Sequence, residues 1–266
     1  NNEAHDNKAC NQMHGNISHL QWLLNKEENQ YDEIYQTTIK ENGVIPDRDV
    51  VENIEEKFEW EYGQNDNCFI LSIFKYINLS YQLTNYSQQV KSRYKLGYSF
   101  WIRYFTYYLI QKIKTEIFSK NERTLIIASP NSQKIPFYKQ LNNPNERVCQ
   151  MISSYFNQFE YIPCHLQKID SYKRPYFGKS RETNKREYYS NLMKMTKLTL
   201  DEPIINPDNL ILFDDVYTTG ITFKAHRDII RSRYNILLDE KDQHNKLFPD
   251  EPITIYGLNI ARTQGN

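Results

Sequence analysis

The chain has 266 residues, 39% of them hydrophobic, and a mean hydropathy of −0.76; this suits one large folded domain or a domain with an extension, the 21 Tyr and 13 Phe supplying much of the buried area. Its eight glycines lie at least eight residues apart, which excludes G-x-G-x-x-G, the Walker A loop and the G-x-S-x-G elbow, and no apolar run approaches the ~20 residues of a membrane helix. The 33 Lys/Arg balance the 33 Asp/Glu overall, but residues 1–90 carry 6 against 15 and residues 91–266 carry 27 against 18, an acidic unit joined to a basic one suited to an anionic ligand.

In chain order, residues 17–41 read as a helix, with Ile17, Leu20, Leu23, Leu24, Ile34 and Tyr35 on apolar faces. Residues 47–60 read as a second helix behind Pro46, with Val50, Val51, Ile54 and Phe58 as its stripe. The run 68–77 (CFILSIFKYI) fits a buried strand or a helix. Ile102, Phe105, Leu109, Ile113 and Ile117 predict a helix over 98–118. A continuous apolar strand follows at 124–130, then a helix at 146–156 and a strand over 160–169 that Pro163 interrupts. A basic segment covers 170–187, with a short helix at 186–198. The last elements are a strand at 209–215, a helix at 221–234 and a strand at 253–261. Strands alternating with helices predict an α/β fold with a parallel sheet buried on both faces.

The opening residues Asn1, Asn2 and Glu3 lack a signal-peptide layout, and the missing initiator Met fits a trimmed or internal piece. Cys10, Cys68, Cys149 and Cys164 show no C-x-x-C spacing, so free thiols in a reducing, cytoplasmic compartment are expected. Cys10, His14 and His19 loosely resemble half a zinc site, but no second ligand pair follows.

The informative run is ILFDDVYTTGITF, residues 211–223. An apolar strand delivers Asp214 and Asp215, a short turn of Val216 and Tyr217 follows, and Thr218, Thr219, Gly220, Ile221 and Thr222 lead into a helix. Ligands bind at the carboxyl ends of strands in open α/β sheets. A helix N-terminus offers free N–H groups to a phosphate, threonine hydroxyls add donors, and Gly220 lets the backbone approach closely. The two carboxylates can accept hydrogen bonds from a diol or hold Mg²⁺.

This ordered set resembles the phosphoribosyl pyrophosphate (PRPP) motif of type I phosphoribosyltransferases, especially the ComF-like group. The resemblance covers residues 91–266: 94–113 is similar to the tyrosine-containing basic lead-in and first helix, 124–134 to the first core strand and its pyrophosphate loop, and 253–263 to the last core strand. It implies a parallel-sheet phosphoribosyltransferase core behind a mostly helical, acidic region over 1–90. It implies that Asp214 and Asp215 hold the ribose hydroxyls and the Mg²⁺ side as catalytic residues. It implies that Thr218, Thr219, Gly220, Ile221 and Thr222 wrap the 5′-phosphate. Ser129, Asn131, Ser132, Gln133 and Lys134 fall at the pyrophosphate loop, although the residue types there depart from the family's usual ones. The basic segment with Lys168, Lys173, Arg174, Lys179, Arg181, Lys185 and Arg186 is implied to close as a mobile loop over PRPP, and Tyr172, Tyr176, Phe177, Tyr188 and Tyr189 interleaved there also suit nucleic-acid contact. His226, in the helix after the motif, reads as structural.

The expected activity is transfer of 5-phosphoribosyl from PRPP, with Mg²⁺, to a nucleobase-like or macromolecular acceptor, with pyrophosphate released. The family association extends to anti-phage defence effectors, which suits the acidic region as a docking surface for a protein partner; a homo-oligomer is the other expectation. The alternative is a non-catalytic PRPP or nucleotide sensor acting through a protein or nucleic acid, because a fold does not fix a function.

Overall fold

The computed structural model describes residues 54–56, 68–75, 90–117, 122–130, 142–171, 181–199, 207–242 and 254–262. Two strands, β1 (Ile54–Glu56) and β2 (Cys68–Lys75), precede a single π-helical turn at Val90–Tyr94 and helix α1 (Ser99–Glu116). Next come β3 (Thr124–Ala128), α2 (Pro144–Tyr155), β4 (Phe159–Tyr161) and β5 (Leu166–Lys168). Helix α3 (Arg181–Met195), β6 (Thr196–Leu198), β7 (Asn209–Tyr217), α4 (Ile221–Asp242) and β8 (Thr254–Arg262) complete the order.

Six strands form one sheet in the order β1-β2-β8-β7-β3-β4. The pairs β2–β8, β8–β7, β7–β3 and β3–β4 are parallel, and β1 closes one edge antiparallel to β2. The α/β class read from the sequence is therefore present. Side chains alternate between the faces, as the period of two requires. Ile126, Ile211, Phe213, Leu258 and Ile260 pack with α1 and α2 on one side. Leu125, Ile127, Leu210, Leu212 and Ile255 pack with Phe223 and Ile230 of α4 on the other. A separate antiparallel ribbon, β5–β6, adds Leu166 and Leu198 to this second layer. Among the described residues no helix is long and apolar enough to cross a membrane.

Several local expectations change. The described part of 47–60, Ile54–Glu56, is strand rather than helix, because β2 has an outer edge whose backbone groups need partners. The ambiguous 68–77 run is β2, fixed by its parallel register on β8 from Phe69↔Tyr256 to Lys75↔Arg262. The single strand expected over 160–169 is two strands in two different sheets. Pro163 lacks an N–H, and Cys164 turns the chain at φ 51 between them. The helix expected to reach 198 ends at Met195, where the chain pairs back on β5. Val216 and Tyr217, expected as a turn, continue β7 opposite Ala261 and Arg262. The helix over 17–41 and the Cys10, His14 and His19 group lie outside the described residues.

Candidate functional site

A cavity of about 510 Å³ opens at the C-terminal ends of β7 and β3. Its walls come from Tyr94 and Lys95, from Asn143–Asn145 at the start of α2, from Lys168 of β5, from Tyr188 and Leu192 of α3, and from the 214–226 stretch. The pairing Ser129 N–H to Phe213 O at 2.8 Å ties β3 to β7 just below this opening.

Asp214 and Asp215 are both half-buried on the cavity wall. Asp214 Oδ1 accepts from the Asp215 N–H at 2.9 Å and from Asn145 Nδ2 at 3.5 Å. The Asn145 amide is itself fixed: Tyr94 donates its phenol hydrogen to Asn145 Oδ1 at 2.8 Å, and Nδ2 also donates to Ser129 O at 3.3 Å. Burial, and Asp215 beside it, hold the Asp214 carboxyl well above the ordinary carboxylate range, against the pull of Lys95. Lys95 Nζ pairs with Asp215 Oδ2 at 2.8 Å.

Three residues of the loop expected to take a 5′-phosphate, Thr218, Thr219 and Gly220, precede α4 and line the cavity with Thr222. Gly220 has φ +74, a conformation that side chains on Cβ disfavour, and its carbonyl accepts the first helical hydrogen bond from Lys224 N–H at 2.8 Å. The free N–H groups of the first turn of α4 are thus carried to the cavity edge. The Ile221 side chain is buried against Tyr188, Leu192 and Ala225, which leaves its backbone to face a ligand.

Among the described residues no group of three or more His, Cys, Asp and Glu side chains is arranged to hold a metal. The Asp214–Asp215 pair fits Mg²⁺ in the manner of sites where one or two carboxylates share the ion with substrate oxygens and water. Ser132, Gln133, Lys134, Arg174 and Lys179 lie outside the described residues; Arg181 opens α3, and nothing is derived from its side chain.

Four cavity groups lie outside the 211–223 motif. Asn145 is the third residue of an N-P-N-E helix start, where Asn143 accepts from Asn145 N–H at 3.1 Å and Pro144 takes the first helical position. Tyr94 ends the π-helical turn and Lys95 follows it, more than a hundred residues before the motif. Lys168 is legible only as one of many basic residues. Compared with known proteins, the chain matches no family model and no curated protein.

Proposed function

We propose that the protein is a phosphoribosyltransferase that uses PRPP and Mg²⁺ to transfer the 5-phosphoribosyl group to an acceptor nucleophile, releasing pyrophosphate. The observation that carries this reading is the meeting of the Asp214–Asp215 pair and the Thr218–Thr222 loop on one cavity at the carboxyl end of β7. A phosphate at the loop meets backbone N–H groups, the positive end of the α4 dipole and threonine hydroxyls. The carboxylates a few residues upstream accept hydrogen bonds from a vicinal diol. Bound Mg²⁺ supplies positive charge to the diphosphate oxygens.

In the transfer the bond from ribose C1 to the diphosphate oxygen breaks, and its electron pair leaves with pyrophosphate. The acceptor's lone pair forms the new bond at C1 and its proton is released. The carbon is cationic in the transition state, and the Asp214 and Asp215 carboxylates lower the energy of that charge when both are ionised. Asn145, itself fixed by Tyr94 and Ser129, donates to Asp214, so that carboxylate is positioned before the ligand arrives.

A second reading, a PRPP-binding regulator, draws support from the Lys95–Asp215 ion pair. A ligand that displaces Lys95 moves the turn carrying Leu96 and Tyr98, which are 72% and 48% exposed and available to a partner. Calorimetric titration of PRPP with and without Mg²⁺, then a pyrophosphate-release assay over nucleobase acceptors, separates the two: binding without release on any acceptor favours the regulator. The double variant Asp214→Asn with Asp215→Asn should melt like the parent and bind PRPP on the order of 100-fold more weakly, the worth of one or two charge-assisted hydrogen bonds. Parental affinity in that variant would move the site elsewhere.

A further inference from the structure

Helix α3 walls the cavity with Tyr188 and Leu192. Its docking surface is narrow. Among its described side chains Tyr188 and Leu192 are the buried ones, one turn apart, with Tyr189 and Met193 half-buried beside them. This stripe packs on Ile221 and Ala225 of α4, so α3 also covers the one apolar side chain of the Thr218–Thr222 loop. Apolar contact is non-directional, and so short a stripe leaves a helix of 15 residues free to slide or roll.

Directional bonds come from one carboxylate, Asp228, one turn beyond Lys224 on α4. Its Oδ2 accepts from the Tyr189 hydroxyl of α3 at 2.7 Å and from Lys224 Nζ at 2.7 Å. Its Oδ1 accepts from Arg227 Nε at 2.9 Å and Nη2 at 2.8 Å. Lys224 Nζ also lies 4.7 Å from the centre of the Tyr189 ring. Lys224 and Arg227 are both buried. Burial pushes the Asp228 carboxyl up, yet the bonds from Lys224 and Tyr189 and the charge of Arg227 outweigh it and hold the group below the ordinary carboxylate range, so it is ionised. An ionised acceptor that takes donors from both helices makes a charge-assisted joint between them.

We propose that Asp228 is a positioning residue: through Tyr189 it fixes the register of α3 on α4, and so holds in place both the Tyr188–Leu192 wall of the cavity and the seat of Ile221. Asp228 does not itself line the cavity, so it acts through α3 and not by touching a ligand. Fixing register is the best-attested use of a buried ionic group, which adds little net stability of its own. The joint does not depend on the reaction; that the wall it holds belongs to a PRPP site rests on the transferase reading above.

The test follows amide hydrogen exchange by mass spectrometry in the full chain, in Tyr189→Phe, which keeps the ring and deletes the bond to Asp228, and in Asp228→Asn, which keeps the shape and deletes the charge. Ile152→Val, buried on the far face of the sheet, is the control for a general loss of stability. Exchange in α3 and over 218–225 should quicken about 10-fold in Tyr189→Phe, the worth of one hydrogen bond to a charged group, and further in Asp228→Asn, while α1 and α2 exchange at the parental rate. The double variant should exchange like Asp228→Asn alone, since both changes break one joint. Ile152→Val should show the reverse, quickening α2 and leaving α3 unchanged. PRPP affinity, titrated calorimetrically, should fall roughly 5-fold in Asp228→Asn, because the built cavity is less populated. Tyr189→Phe decides the matter if Asp228→Asn does not fold. Parental exchange of α3 in Tyr189→Phe, or quickening spread evenly over the chain, overturns the joint. Quickened α3 with both the 218–225 exchange and the PRPP affinity parental overturns the positioning role. No PRPP binding by the parent removes the transferase reading, and the exchange over 218–225 then decides the positioning role by itself.

Discussion

Glu146 illustrates how much one residue next to the site is decided by its surroundings. It is 3% exposed on the first turn of α2, directly after Asn145. Tyr161 donates its phenol hydrogen to Oε2 at 2.5 Å, and the Cys164 N–H donates to the same oxygen at 3.2 Å, which holds Cys164 in its left-handed turn. Burial pushes the carboxyl from near 4.5 up to about 7, outweighing those two hydrogen bonds. A raised carboxyl means the folded chain keeps a proton that the unfolded chain loses, so stability falls as pH rises from about 4.5 to about 7 and is level above that. The span amounts to about 3 kcal/mol. Glu146→Gln keeps the acceptor oxygen and removes the titration. In urea denaturation at pH 5 and pH 8, the parent should lose stability relative to this variant by about that amount; parallel curves would mean Glu146 titrates normally. The sequence marks Glu146 only as a helix residue, since its partners lie 15 and 18 residues downstream. Asp214, Asp215 and Gly220 are legible because their chemistry is local: strand end, turn and helix start are contiguous. Lys168 is not, because the pairing of β5 with β6 across about 30 residues is what buries this one lysine of a basic stretch.

At the scale of elements, the placement of α4 depends on a contact far from the motif. A Cβ at Gly257 of β8 would lie 2.6 Å from Ile70 Cδ1 and 2.8 Å from Phe223 Cε2. Phe223 is the third residue of α4, so the missing side chain on β8 lets the helix start settle onto the sheet and sets the height of the Thr218–Thr222 loop. Gly257→Ala should cost about 1–3 kcal/mol through overpacking, read as a lower urea midpoint, with weaker PRPP binding as Phe223 is displaced. An unchanged midpoint would show that Ile70 and the Phe223 ring give way freely. Helices with long apolar stripes, α1 and α2, are readable from periodicity alone. Three-residue strands such as β1, β4, β5 and β6 are not, because three residues carry no distinguishable period and their extended shape comes from the neighbour that pairs with them.

The whole molecule joins parts that the charge pattern separates. The sequence divides at about residue 90, yet β2 lies inside the acidic part and occupies the sheet beside β8, with Ile70 fully buried and Leu71 3% exposed. A fragment of residues 91–266 leaves the β8 edge unpaired and uncovers the hydrophobic face that Ile70 and Leu71 close. It should lose cooperative melting or associate, by circular dichroism and sedimentation; a melt matching the full chain would make β2 dispensable. What the sequence determines by itself is the local grammar of the site: an apolar strand, two carboxylates, threonines, one glycine and a helix start, each acting through bonds to its near neighbours. It also determines the α/β class, through the alternation of strand and helix. Only the tertiary structure decides that Tyr94, Asn145 and Lys95 close on the carboxylates, that Lys168 and His226 are buried beside the cavity, and that β2 completes the sheet. Those outcomes depend on which surfaces exclude water together, a property of strands and helices packed across more than a hundred residues.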